Sequence, residues 1–152
     1  MNKLWEKSVG ALLYMIPWYY CLPFGYHLFR KYPLLEIVKI PTIPIELIQR
    51  SLPFGGLLLF LAIFLGLVRN QKIGYFLRFN ALQSLLINIG IIIITYLFQI
   101  FLNSFNNTLM IRTFSTTLLM SVFAIITYCV YCCFKGNEPN LPVISEATKM
   151  QL

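Results

Sequence analysis

Between Phe79 and Leu102, and again between Thr113 and Phe134, the chain carries no Asp, Glu, Lys or Arg. A bilayer core about 30 Å thick is crossed by roughly 20 helical residues at about 1.5 Å each, so each run is long enough to span. The rest of the sequence agrees. Of 152 residues, 59% are hydrophobic and only 11% are charged, against roughly 25% charge in a soluble domain, and the mean hydropathy is +0.75. A water-soluble globular protein is not expected. The length accommodates about four spans with loops and leaves no room for a folded catalytic domain, which takes on the order of 100 residues more. The expected fold is an all-α integral membrane protein with four transmembrane helices in a single domain, 1–152.

The four spans are expected near 9–29, 54–68, 79–102 and 113–134. The first is interrupted by Pro17 and Pro23. It is too long and too Pro-broken for a cleaved signal peptide. The second is short, and starts earlier, near Ile45, if Pro53 is only a kink. Between them, Arg30–Leu52 contains Pro33, Pro41 and Pro44, which excludes one continuous helix. That segment is apolar with regular charges, so it reads either as a Pro-rich loop in the headgroup region or as a loop packed on the bundle. The tail, 135–152, is expected to be extended, either docking a partner or disordered. With four spans both termini share a side with Arg69–Arg78. That side holds Lys3, Lys7, Arg69, Lys72, Arg78, Lys135 and Lys149, and the other holds Arg30, Lys31, Lys39, Arg50 and Arg112. The excess of Lys and Arg places both termini inside, and the nearly uncharged loop Asn103–Arg112 suits the translocated side.

The residue inventory removes whole classes of function. There is no Asp, a single His, His27, and five acids, Glu6, Glu36, Glu46, Glu138 and Glu146, all outside the best hydrophobic runs. Acid–base catalysis, a His-containing triad and a His-rich metal site lack raw material. No enzyme, cofactor or metal is expected, and no acid lies at membrane depth to drive an ion-coupled transporter. A solute carrier predicts internal repeats, and halves 1–76 and 77–152 show none. The net charge of +7 is spread over helix ends, where it anchors to lipid headgroups, with no basic stripe of the kind that binds nucleic acid. Cys129-x-x-Cys132 lacks the second pair that a zinc site needs. These cysteines read as small packing residues, with a redox role left open.

The polar groups inside the third span carry the functional information. Asn80, Ser84, Asn88, Thr95, Gln99 and Asn103 fall within an arc of about 140° on a helix at about 100° per residue, while Leu85, Leu86, Ile89, Ile93 and Leu97 occupy other faces. An amide facing acyl chains is costly, so this face is expected to meet protein or water. It is interhelical glue, a water- or substrate-facing surface, or an oligomer seam. On the fourth span Thr117, Ser121, Ala124, Tyr128 and Cys132 form a small, weakly polar face expected to pack on the third.

Three stretches carry a resemblance. The first is Tyr14-Met-Ile-Pro17 continuing to Leu22-Pro23-Phe24-Gly25. The second is Val68-Arg69-Asn70, then Arg78-Phe79-Asn80-Ala81-Leu82-Gln83. The third is Gly136-x-x-Pro139-x-x-Pro142-Val-Ile-Ser145-Glu146-Ala147, with Gln151 after it. In this order they resemble the twenty-kilodalton membrane subunit family of the chloroplast inner-envelope translocon (TIC), in its plastid-encoded algal or cyanobacterial type. Arg78-Phe79-Asn80-x-x-Gln83 is the most specific part.

The resemblance implies four membrane helices with both termini stromal, and a subunit that helps form or border the path of imported precursor proteins across the plastid inner envelope. The implied partners are other translocon membrane subunits and precursor polypeptides, with homo-oligomers also open. A structural scaffold without a conduit of its own is the alternative role, and a cyanobacterial plasma membrane the alternative location. The family pattern has an acid soon after the Gln in span three, where this chain has Asn88, and an Asp before Leu-Pro-Phe-Gly, where it reads Tyr20-Cys21. Without both acids an ion-selective pore is disfavoured. A neutral face of amides and hydroxyls, Asn80, Ser84, Asn88, Thr95 and Gln99, instead suits a sequence-tolerant path for an extended chain.

Overall fold

A computed structural model describes the backbone of residues 4–104 and 108–152, and the side chains of residues 4–100 and 109–152. Everything described is helix, turn or coil. The elements are α1 (Leu4–Leu13), α2 (Met15–Cys21), a 3₁₀ segment (Leu22–Gly25), α3 (Tyr26–Lys31), a second 3₁₀ segment (Pro33–Thr42), α4 (Ile43–Ser51), α5 (Gly55–Ile63) running into a π-turn (Phe64–Val68), α6 (Tyr75–Ser104), α7 (Thr108–Lys135) and α8 (Ile144–Gln151).

Among the described residues, only α6 and α7 are individually long and apolar enough to cross a membrane, over Tyr75–Ile100 and Leu109–Lys135. Both outrun the uncharged stretches that predict them. Arg78 and Arg112 mark the ends of those stretches without ending the helices, because a long basic side chain can reach the interface from inside a helix. Two spans are therefore clear, or up to three if the pair Pro33–Ser51 and Gly55–Val68, bent by 113°, counts as one. The bend is tight: a Cβ on Gly55 would lie 2.7 Å from the Gln49 Cα.

The first apolar run is not one helix. Pro17 has no N–H to return to the Leu13 carbonyl, and the chain breaks into α1 and α2 at Tyr14. Pro23 opens the 3₁₀ segment in the same way. The broken run is nevertheless the centre of the molecule. Tyr14 and Cys21 are fully buried and Trp18 nearly so. α1 and α2 pack on α6 from one side and on α7 from the other, while the π-turn following α5 lies against α6.

Two expectations need correction. The small face of the fourth span is not a seam: Thr117, Ser121, Ala124 and Tyr128 are exposed, and Cys132 alone of that set is buried. Thr117 and Ser121 donate to the carbonyls one turn back, Thr113 and Thr117, both at 2.9 Å, so they need no neighbour. α7 instead packs through Ser115, Leu119, Val122, Ile126, Cys129 and Cys133, mainly on the N-terminal elements. The tail is not simply extended: it ends in α8, which packs on α6 with Ser145 and Thr148 buried.

The 33–51 segment is a 3₁₀ stretch followed by α4. Leu34, Ile37, Ile40 and Leu47 are exposed, while Lys39 pairs with Glu36 at 2.9 Å and Arg50 with Glu46. Exposed apolar side chains among paired charges suit the boundary between headgroups and acyl chains.

Candidate functional site

The polar face of α6 divides into two halves. In the N-terminal half, Asn80, Ser84 and Asn88 are buried. Asn80 Oδ1 accepts from the Tyr14 hydroxyl at 3.0 Å and from the Cys133 thiol at 3.0 Å, and its Nδ2 donates to the Phe76 carbonyl at 2.8 Å. One amide thus ties α1–α2, α6 and α7 together. Ser84 Oγ donates to the Leu13 carbonyl at 2.6 Å. That carbonyl is the one Pro17 leaves without its helical donor, so the break in the first run and the serine of the third answer each other.

Gln83, one position off this face, reaches the tail. Its Nε2 lies 3.4 Å from the Pro139 carbonyl and 3.4 Å from Ser145 Oγ. Ser145 Oγ in turn donates to the Pro139 carbonyl at 2.9 Å and accepts from the Leu141 N–H at 2.7 Å. Gln83, Pro139 and Ser145, distant in sequence, are therefore neighbours. Pro142 is exposed, its carbonyl accepting from the Ile144 N–H at 2.8 Å. A Ser145→Ala substitution is expected to free the Leu141 N–H and loosen α8. Hydrogen exchange over residues 144–151 should quicken about tenfold, the scale of one or two hydrogen bonds; unchanged exchange would mean the hydroxyl does not hold the tail.

Asn88 is 4% exposed, and its Oδ1, like Gln83 Oε1, has no hydrogen-bond partner among the described residues. A buried amide oxygen of this kind costs about 1–3 kcal/mol. Asn88→Leu should therefore leave the fold as stable as before or about 1 kcal/mol more stable, read as the unfolding midpoint in mild detergent. A clear loss of stability would show that the amide is doing structural work.

The C-terminal half of the face is open. Thr95 is half-buried, donating to the Ile91 carbonyl at 2.8 Å, and Gln99 is exposed. With Ile92 and Tyr96 they form one wall of a cavity of about 800 Å³. Tyr19, Tyr20, Tyr26 and Arg30 from α2 and α3 form the second wall, and Glu36, Lys39 and Glu46 from the 33–51 segment the third. Two bonds hold that segment in place: Trp18 Nε1 donates to the Val38 carbonyl at 3.0 Å, and Gln49 Nε2 donates to the Tyr20 hydroxyl at 2.8 Å. The lining is mainly aromatic and aliphatic, with Leu22, Pro23, Phe29 and Ile92 beside the tyrosines, one amide, and charges of both signs, so it offers apolar and stacking surface with a few donors and acceptors to a chain of mixed composition.

The sequence-predicted residues are thus separated. Asn80, Ser84 and Asn88 sit inside the bundle, Thr95 and Gln99 at the cavity, and the side chain of Asn103 lies outside the described residues. Arg78 Nε donates to the Val68 carbonyl at 2.8 Å, capping the end of the π-turn, and Asn70 Oδ1 accepts from the Lys72 N–H at 3.1 Å to close the following turn. Phe79 is fully buried. All four cysteines are buried and free. What sequence reasoning missed is the part played by the tyrosines at 19, 20 and 26. They read as interfacial rings, and only the folding-back of the 33–51 segment makes them a wall.

The sequence profile described as "Chloroplast import apparatus Tic20-like" matches residues 2–148. A Tic20 family protein of Synechocystis sp. (strain ATCC 27184 / PCC 6803 / Kazusa) is 28% identical over 151 residues, covering 97% of this chain and 92% of that protein. Protein TIC 20-II, chloroplastic, of Arabidopsis thaliana is 27% identical over 151 residues, covering 97% and 72%. The Tic20 family protein Ycf60 of Porphyra purpurea is 27% identical over 157 residues, covering 99% and 77%.

Proposed function

Because this chain belongs to the Tic20-like family of the chloroplast import apparatus, we propose that it is a membrane subunit of a plastid protein-import translocon. Within it, the outer half of the α6 polar face borders the path of the imported polypeptide. The observation that carries this reading is the cavity at Thr95, Tyr96 and Gln99. An extended chain crossing a membrane must find partners for its backbone, and this wall presents the hydroxyls of Thr95 and Tyr96 and the Gln99 amide, where the exposed Ile93, Leu97 and Ile100 of α6 are apolar. In the inner half Asn80 and Ser84 brace the bundle, Asn88 lies buried beside them, and none of the three takes part in the path.

In this reading the whole of 1–152 is one membrane domain that crosses four times. The broken run α1–α3 forms the first crossing and α5 with its π-turn the second. The second is short, at about 1.5 Å per residue, and the 33–51 segment in the headgroup layer makes up its reach. Both termini then face the stroma, and the membrane is the plastid inner envelope. The similarity to a cyanobacterial protein over 92% of its length keeps a bacterial plasma membrane as the alternative. The partners are other membrane subunits of the translocon, precursor polypeptides and lipid. The family description names an import apparatus and no chemical reaction, in line with the absence of Asp and the sparse acids.

A scaffold role without a conduit is the second reading, favoured by the buried hydrogen bonds of the inner half. Reconstitution of the purified protein in liposomes separates the two. Peptide passage or conductance from the protein alone supports the path. Co-purification with translocon subunits and no passage supports the scaffold.

A further inference from the structure

At the opposite end of α6 a second pocket, of about 410 Å³, opens between the end of the second apolar helix and the tail. We propose that this pocket, with Arg69 and Arg78 on its rim, binds the phosphate-diester headgroup of an anionic membrane lipid. Four observations carry the proposal. The helix that starts as α5 finishes in a π-turn, in which the Arg69 N–H donates to the Phe64 carbonyl at 3.0 Å, five residues back. Such turns are rare and concentrate at functional sites. Arg78, from the first turn of α6, is pinned by its Nε to the Val68 carbonyl at 2.8 Å. Its terminal N–H groups remain for an anion, in the fork geometry that suits phosphate. Gln71 and Gln151 add amide donors, and none of the lining residues is an Asp or Glu. Lys39 and Arg50 pair with Glu36 and Glu46, and neither arginine of this pocket forms an ion pair among the described residues.

The occupant is a lipid and not a free anion because the pocket has an apolar wall. Phe64, Val68 and Leu82 line it, and Leu61 and Leu65 are exposed on the same helix. The pocket also lies where the spanning stretch of α6 begins, at Tyr75, which is headgroup depth for the leaflet on the side of the termini. A phosphate at the arginines would let an acyl chain run down that wall, while inorganic phosphate would use the arginines alone. Since Gln151 belongs to α8, a bound headgroup would touch the second apolar helix, α6 and the tail at once. The site does not depend on whether the chain borders an import path.

The test is native mass spectrometry of the full chain released from nanodiscs of phosphatidylcholine mixed with phosphatidylglycerol. Wild type is expected to retain phosphatidylglycerol about tenfold over phosphatidylcholine, the order expected of two guanidinium contacts. Arg69→Gln should abolish the preference without loss of folding, since Arg69 is exposed. Lys72→Gln, which removes a nearby charge outside the pocket, should leave the preference intact. Arg78→Lys, which keeps the charge and loses the fork, should reduce it. An undiminished preference in Arg69→Gln, an equal loss in Lys72→Gln, or displacement of the lipid by millimolar inorganic phosphate would each overturn the proposal.

Discussion

Replacing Asn80 with Leu is expected to cost about 2–3 kcal/mol, the largest effect of any single polar-to-apolar change on α6. The estimate follows from what the amide holds. Its oxygen accepts from Tyr14 and Cys133 and its nitrogen donates to Phe76, and all of these groups are in the interior. One interhelical hydrogen bond in a membrane protein is worth about 0.6 kcal/mol and at most about 1.7. Leaving the fully buried Tyr14 hydroxyl without its amide acceptor adds a desolvation penalty on the order of 1–3 kcal/mol. Tyr14→Phe removes the hydroxyl together with its need for a partner, so it should cost about 1 kcal/mol. The double variant should cost less than the sum of the two, because the groups are in contact. Unfolding in mild detergent can be followed through Trp18, which is buried on the neighbouring turn of α2. Strict additivity would mean that the bond contributes nothing.

The second large effect is on import and not on stability. Thr95→Leu with Gln99→Leu should leave the stability within about 0.5 kcal/mol, as expected for positions outside the core that hold no other element. Thr95 bonds only within its own helix, to Ile91, and Gln99 is exposed. The same pair of changes turns the α6 wall of the cavity apolar, so contact with a precursor in transit should fall several-fold, and import with it. Asn88→Leu should spare import, since its side chain lies inside the bundle. If Asn88→Leu alone blocked import while the paired change did not, the division of the polar face would be wrong.

That division shows how far the sequence could be read. A period of 3.6 residues gathers polar groups on one side of α6, and this side does avoid lipid along its inner half. Periodicity reports direction around a helix and says nothing about which neighbour waits at each height. Asn80 and Thr95 share a face, yet one meets Tyr14 and the other a cavity, because the first run breaks at Pro17 and Pro23 and leaves the outer part of the bundle uncovered. The same limit explains the error on α7. Ser and Thr spaced four residues apart look like a packing seam, but hydroxyls that donate to their own helix are satisfied anywhere, and Leu119, Val122 and Ile126 pack instead. A related limit applies to the tail. Pro139 and Pro142 suggest an extended chain, and the helix beyond them is held by Ser145 and Gln83, a pairing across 62 positions that no local pattern encodes. By contrast α6 and α7 were plain from their uncharged runs, and the motif Arg78-Phe79-Asn80-x-x-Gln83 pointed to residues that all have definite structural roles.

Photo-crosslinking from single positions on α6 to an arrested precursor tests the division most directly. A photoreactive residue is placed in turn at Asn88, Tyr96, Leu97 and Gln99. Adducts are expected from 96 and 99, which line the cavity, and not from 88, which is buried, or from 97, which is exposed but is not among the cavity-lining residues. Adducts of equal yield from all four positions, or from 88 and 97 alone, would contradict a path along the outer half of this helix.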